Sequence, residues 1–174
     1  MKYLVKFFVV TFLLLICTHV SAEQKVAFID MKYVLNKSKA GAGAQDFLQK
    51  AFKDNQKKFV EEEKNLKKAE SDLLGQRGNL TNEEYTQKTN DLRKQVVEYQ
   101  GRRRLILDKI SKQRTDAREQ LLKELDPILA AYVKDNAISI IIDKKIVFIG
   151  NADLDITLPV VEILNKKFPT LALK

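Results

Sequence analysis

Two side chains of this sequence could support thiol or imidazole chemistry, Cys17 and His19, and they are the only cysteine and the only histidine among its 174 residues. Both lie in a segment with the pattern of an export signal. Lys2 and Lys6 form a short basic region, Phe7 to Ile16 is apolar apart from Thr11, and Val20-Ser21-Ala22 supplies the small residues of a cleavage site. The apolar run is short for a membrane span, which argues against an uncleaved anchor. Ile16 argues against lipidation at Cys17, because a lipoprotein signal needs a small residue there. Cleavage after Ala22 leaves a mature chain that begins Glu23-Gln24-Lys25 and has neither Cys nor His. That composition excludes disulfides, zinc sites built on Cys or His, and Cys-His or Ser-His-Asp catalysis. No cofactor is expected.

Carboxylates are the remaining candidates for catalysis or cation binding. The tight acidic clusters are Glu61-Glu62-Glu63 and Glu83-Glu84. Consecutive residues of a helix point about 100° apart, so these groups cannot converge on one metal or one bond. They read as solvated helix surface, and neither a catalytic nor a metal site is expected. The bases are more informative. Lys and Arg outnumber Asp and Glu by 31 to 23, and loss of Lys2 and Lys6 leaves 29 against 23, a net of +6. Residues 44–118 hold 18 of these bases and 13 of the acids. Within that span Arg102, Arg103, Arg104, Lys109, Lys112, Arg114 and Arg118 form a basic segment facing several directions. Each residue alone is ordinary solvated charge, but the sum attracts acidic polypeptides or anionic surfaces with little sequence specificity. For an exported protein the candidate partners are acidic polypeptides, anionic lipid and lipopolysaccharide. Nucleic acid is not expected in that compartment.

The element that carries these bases is long. From residue 44 apolar side chains recur at alternating gaps of three and four, interrupted at Gly75-Gln-Arg-Gly78-Asn79 and restarted by Thr81 and Glu84, which form a capping box. The spacing predicts two helices folded into a hairpin over 44–125, with its tip near 75–81. Phe52, Phe59, Leu66 and Leu73 recur at seven in the first leg, with Leu48, Asn55, Glu62 and Ala69 between them. Tyr85, Leu92, Tyr99 and Ile106 do so in the second, where Val96, Ile110 and Ala117 share the other seam position with Thr89 and Arg103. A repeat of seven winds helices into a left-handed coiled coil. Gly101 in mid-helix and the polar seam residues predict legs that bend.

The rest of the chain is a small body split in sequence, residues 23–43 and 126–174. Val26-Ala-Phe-Ile29 reads as a first strand, and Ile138 to Asp143 and Ile146 to Ile149 as a β-hairpin pairing back to it. Lys37 to Gly43 is the joint where strand becomes leg. Asp126-Pro127 predicts a fresh helix start. Asp155 or Thr157 caps a last helix, with Val160, Val161, Ile163, Leu164 and Phe168 inward. About seventy residues make a marginal core, and three strands leave open edges, so copies are expected to combine through Val26, Phe28, Ile29, Ile140, Ile142, Val147 and Ile149.

Over nearly its whole mature length the chain resembles the Skp/OmpH family of periplasmic chaperones. The matching stretches are Lys25-Val-Ala-Phe-Ile-Asp30, Val34-Leu-Asn-Lys-Ser-Lys-Ala-Gly41, the charged coiled segment, Ile140-Ile-Ile-Asp143, and Asp155-Ile-Thr157 followed by Val161 and Leu164. The final strands of the family usually follow a Gly-Tyr pair, and here Asn136-Ala137 stands in that place. The resemblance implies an α+β fold, a long antiparallel helical hairpin inserted in a small body that forms a β-barrel as a homotrimer. It also implies a role without ATP: unfolded outer-membrane proteins are held in the cavity between the legs. A structural coiled-coil spacer or adaptor is the alternative.

Overall fold

The computed structural model describes residues 25–173, so the expected export signal with Cys17 and His19 lies outside the described residues. Strand β1 (Lys25–Ile29) stops at Asp30, whose carboxylate accepts the Tyr33 N–H at 2.8 Å and caps helix α1 (Met31–Lys37). Ser38 alone separates α1 from the outgoing leg, α2 (Lys39–Gly75), and its fully buried hydroxyl accepts the Gly41 N–H at 3.2 Å. Such caps satisfy free N–H groups of each first turn and allow two helices to start close together. The stretch expected to be a simple joint is therefore a helix, a one-residue break and a second helix.

At the far end of α2, Arg77–Asn79 make one 3-10 turn, and the returning leg α3 (Asn82–Asp135) begins as the sequence indicates. The Thr81 hydroxyl accepts the Glu84 N–H at 3.2 Å, and the Glu84 carboxylate accepts the Thr81 N–H at 2.9 Å. The Thr81 N–H above all, and then the Thr81 hydroxyl, which donates to the same carboxylate at 2.9 Å, hold the Glu84 carboxyl below its ordinary range. The legs pack antiparallel. Phe59 and Tyr99 meet edge to face at 6.3 Å in mid-leg, and Leu48, Ile110 and Ala117 are buried nearer the body. Leu66, Leu73, Tyr85 and Leu92, towards the tip, are only half-buried. Three expected seam positions lie outside it: Phe52, Ala69 and Arg103 are exposed.

Two expectations for the body are overturned. Helix α3 runs unbroken through Pro127 to Asp135, so no new helix starts at Asp126. Proline inside a helix forfeits a hydrogen bond and costs about 3 kcal/mol. Here Leu125 and Ile128, on either side of it, are buried in the core, and packing holds the helical path. The second correction concerns the sheet. β2 (Ile138–Asp143) pairs with β1 in parallel, Val26 opposite Ile140 and Phe28 opposite Ile142, and residues 146–149 form no strand. The Asp143 carboxylate accepts the Lys145 N–H at 3.0 Å and turns the chain into a 3-10 turn over Lys144–Ile146. Beside β1 it is Asp155 that makes a parallel bridge to Phe28, with the Ile156 N–H donated to the Phe28 carbonyl at 3.0 Å. A parallel pair needs a long crossover, and the whole helical hairpin serves as one.

The core joins Ala27, Ile29 and Val34 to Leu125, Ile128 and Ile138, and is closed by Ile156, Val160, Val161 and Leu164. The last four belong to or precede α4 (Thr157–Lys167), and Ile163 and Phe168 pack against them as the apolar pattern indicates. A polar relay fixes where α4 begins. The Asp30 N–H donates to the Thr157 hydroxyl at 2.9 Å, that hydroxyl donates to the Asp155 carboxylate, and Lys144 Nζ lies 2.6 Å from the same carboxylate. Burial pushes the Asp155 carboxyl up, but the Lys144 ammonium and the O–H and N–H of Thr157 outweigh it and hold the carboxyl below its ordinary range. The resulting stabilisation is present above the unfolded value near 4 and is lost as pH falls through the depressed folded value. Asp155→Ala is expected to lower stability by about 1–2 kcal/mol at pH 7. The deficit relative to wild type should shrink at pH 3, and urea midpoints at the two pH values check it.

Ala137, between α3 and β2, has φ 52°, the one non-glycine residue with positive φ among the described residues. Alanine there carries a left-handed strain of roughly 1 kcal/mol that glycine does not. Ala137→Gly is therefore expected to leave stability unchanged or raise it by up to about 1 kcal/mol, where a mid-helix glycine would lower it. Thermal unfolding of the variant reads the sign.

Candidate functional site

Two surfaces carry side chains that the single chain does not use for its own folding. The first is on the body. Strand alternation sends Ala27, Ile29 and Ile141 to the core side of the two-stranded sheet, and Val26 and Ile140, which are opposite one another, to the other side. Val26 is 38% exposed and Ile140 51%. The chain then delivers Ile146, Phe148 and Ile149 to solvent, Phe148 completely at 101% and Ile149 at 88%. Of the residues expected to join copies, Val26, Ile140 and Ile149 are exposed, Ile142 and Val147 are half-buried, and Phe28 and Ile29 lie inside the chain's own structure. Phe28 is held there by its neighbours: a β-carbon on Gly150 would come within 3.0 Å of its ring. Large apolar side chains left in solvent in this number point to a partner surface.

The second surface is the pair of legs, and the basic segment divides along it. Arg102 reaches across to Glu62 on the other leg and lies 3.9 Å from Glu98 on its own. Arg104 is 4.0 Å from Asp108. Arg103 helps to lower the carboxyl of Glu63, although the Lys67 ammonium 2.8 Å away does more, and Glu63 in turn raises Lys67. Nearer the body Lys109, Lys112, Arg114 and Arg118 are exposed and make no ion pair within the described residues. The seven bases thus do not form one site: Arg102 is paired across the legs, Arg103 and Arg104 have an acid nearby, and the last four leave a free positive field at the root of the leg.

Sequence periodicity missed the apolar side chains that face outward. Val60, Val97 and Leu105 are each more than 60% exposed, and Phe52 and Leu107 are open to a lesser degree. Val60, Val97, Leu105 and Leu107 fall outside the seven-residue seam, and that displacement was the available signal, whereas Phe52 stands in the repeat and is exposed nonetheless. Lys53, Lys57 and Lys64 surround Val60 on a single face of α2. Such a surface offers apolar contacts of low specificity amid positive charge, without a deep pocket. Among the described residues no cluster of His, Cys, Asp or Glu is arranged to hold a metal ion, and no helix is long and apolar enough to cross a membrane.

Comparison with known proteins bears on the whole of this arrangement. A search among curated protein sequences finds no match. The fold is similar to a crystal structure of a candidate outer membrane chaperone (OmpH-like) from Caulobacter crescentus CB15, at 18% sequence identity and a TM-score of 0.80. The similarity covers 90% of this chain and 93% of that one. The family described as outer membrane protein (OmpH-like) matches residues 25–164, from the first residue of β1 into α4. With both strands, both legs and the start of the last helix inside the match, the chain belongs to the OmpH-like family.

Proposed function

We propose that the mature chain is an ATP-independent holdase of the periplasm, which binds unfolded outer-membrane proteins between its helical legs and keeps them from aggregating before membrane insertion. The observation that carries this reading is the hairpin itself. Its 37-residue outgoing leg extends on the order of 55 Å from a body too small to cover it, and it presents Val60, Val97 and Leu105 among lysines and arginines. Scattered apolar contacts in a positive field suit a client that has no fixed shape. The uncovered apolar face from Val26 to Ile149 supports assembly of copies through the body, a homotrimer in this reading, which would bring several legs around one space. Residues 23–43 and 126–174 then form the assembling body and 44–125 the leg, with the N-terminal 22 residues removed on export. Anionic lipid and lipopolysaccharide are further partners of the same charge. No chemistry is assigned to the carboxylates, since the acidic clusters lie on solvated helix faces.

The test is aggregation of a urea-unfolded β-barrel membrane protein on dilution, followed by light scattering. Suppression near one assembly per client, without nucleotide, is the expected result. No suppression, together with tight binding to a single folded partner, would favour a coiled-coil spacer or adaptor instead.

A further inference from the structure

Where the legs enter the body they line a groove of about 940 Å³. Its floor is made shallow-sided by small residues, with Gly41 and Ala44 on α2 and Ala117 on α3 beside Leu48 and Leu121. One wall is Gln45, Gln49 and Phe52, which share a face of α2. The facing wall is Arg114, Arg118 and Leu122 on α3, and Leu35 and Asn36 at the end of α1 close the top. Phe52 is 44% exposed here although its spacing would suit the seam. Asn36 accepts a hydrogen bond from Gln45, whereas Gln49 has no side-chain partner among the described residues. Arg114 and Arg118 make no ion pair, and Glu119 is the one acid in the lining, so the groove keeps a net positive charge.

We infer that this groove binds an extended polypeptide segment in which an apolar residue is flanked by two acidic ones. The spacing argues for that occupant. Arg114 and Arg118 are separated by about 6 Å along the helix, and alternate side chains of an extended strand by about 6.7 Å. Carboxylates at positions one and three of such a segment therefore meet the two guanidinium groups, and the side chain between them points the other way, to Phe52 on the facing wall. The Gln49 amide lies opposite, within the same groove, as a donor and acceptor for the segment's backbone. Charge-assisted pairs to arginine supply direction, and Phe52 supplies the apolar contact. The inference rests on the reading that the chain binds unfolded polypeptide, and it assigns one anchoring site and one local sequence pattern to that activity.

The probe is a fluorescein-labelled ten-residue peptide centred on Glu-Leu-Glu in a Ser/Thr background, with a counterpart centred on Lys-Leu-Lys. Both are titrated against the full mature chain by fluorescence anisotropy, with decanoate as a competitor. The acidic peptide is expected to bind and the basic one not. Arg114→Gln with Arg118→Gln should weaken binding roughly tenfold, since each exposed pair supplies only a few-fold. Phe52→Ser should weaken it as well, and Glu119→Gln should tighten it. All four positions are exposed, so circular dichroism and solution mass should stay as in wild type. Equal binding of the two peptides, an unaltered affinity of the double arginine variant, or displacement by decanoate with a higher affinity than the peptide would each overturn the inference. Running the client-aggregation assay on the same samples separates the two readings. Arginine-dependent peptide binding without aggregation suppression retains the groove and removes the holdase, and the converse removes the groove alone.

Discussion

Gly41→Ala is expected to destabilise the protein by about 3 kcal/mol, a fall of roughly ten degrees in melting temperature for a chain of this size. A β-carbon at this position would lie 1.9 Å from the Leu35 carbonyl oxygen, 2.8 Å from its carbon and 2.9 Å from the Ser38 hydroxyl. Two of these neighbours are backbone, so no side-chain rotation relieves the clash. Helices α1 and α2 would have to part, and with them the buried Ser38 cap and the fully buried Val34. Helix propensity pushes the other way, because alanine is favoured over glycine in a helix by about 1 kcal/mol. Gly101 isolates that opposing effect: nothing lies within 4 Å of a β-carbon there. Gly101→Ala is therefore expected to stabilise the returning leg by up to about 1 kcal/mol. Unfolding in urea at one fixed chain concentration, so that the proposed assembly contributes alike to both variants, compares the two. A Gly41→Ala variant as stable as wild type would show that α1 and α2 do not cross as closely as described.

Phe148→Ser combined with Ile149→Ser is expected to break the assembly and leave the fold of each chain intact. Both side chains are almost wholly exposed in the single chain and neither belongs to its core. Covering each in a neighbouring copy would contribute about 2 kcal/mol, repeated at every interface of the assembly. Removing both from every copy withdraws several kcal/mol from association and almost nothing from the monomer. The expected result is a solution mass that falls to that of one chain with unchanged helical circular dichroism. An assembly that persists at wild-type mass would place the contacts elsewhere, and loss of helical signal would mean that these residues also serve the fold.

The hairpin was legible because its signals are local. The recurrence of apolar residues and the Thr81–Glu84 box each concern residues a few positions apart; the box starts α3 at Asn82, and the two helices extend beyond the expected 44–125, from Lys39 and to Asp135. The body was legible in its elements and not in its pairing. β1 and β2 are separated by more than a hundred residues, and nothing local distinguishes a parallel partner from a hairpin partner. Ile146 to Ile149 has the composition of a strand, yet the turn made by Asp143 and the bridge taken by Asp155 leave it outside the sheet of a single chain. Pro127 misled for a related reason. Its local effect is to end a helix, and burial of Leu125 and Ile128 overrides it. Asp30 and Ser38 each cap a helix through an N–H donor three residues on, and the short α1 between them has too few turns for a periodic signal. As for the surfaces, the count of bases was visible and their pairing was not. Whether Arg102 meets Glu62 or Arg118 meets nothing depends on which residues the legs bring opposite one another.

The measurement that bears most directly on the account is the solution mass of the mature chain, alone and after mixing with an unfolded β-barrel membrane protein in the absence of nucleotide. A stable trimer alone and a complex of three chains with one client after mixing are the expected results. A monomer that stays a monomer, or a trimer whose mass does not change when the client is added, would contradict it.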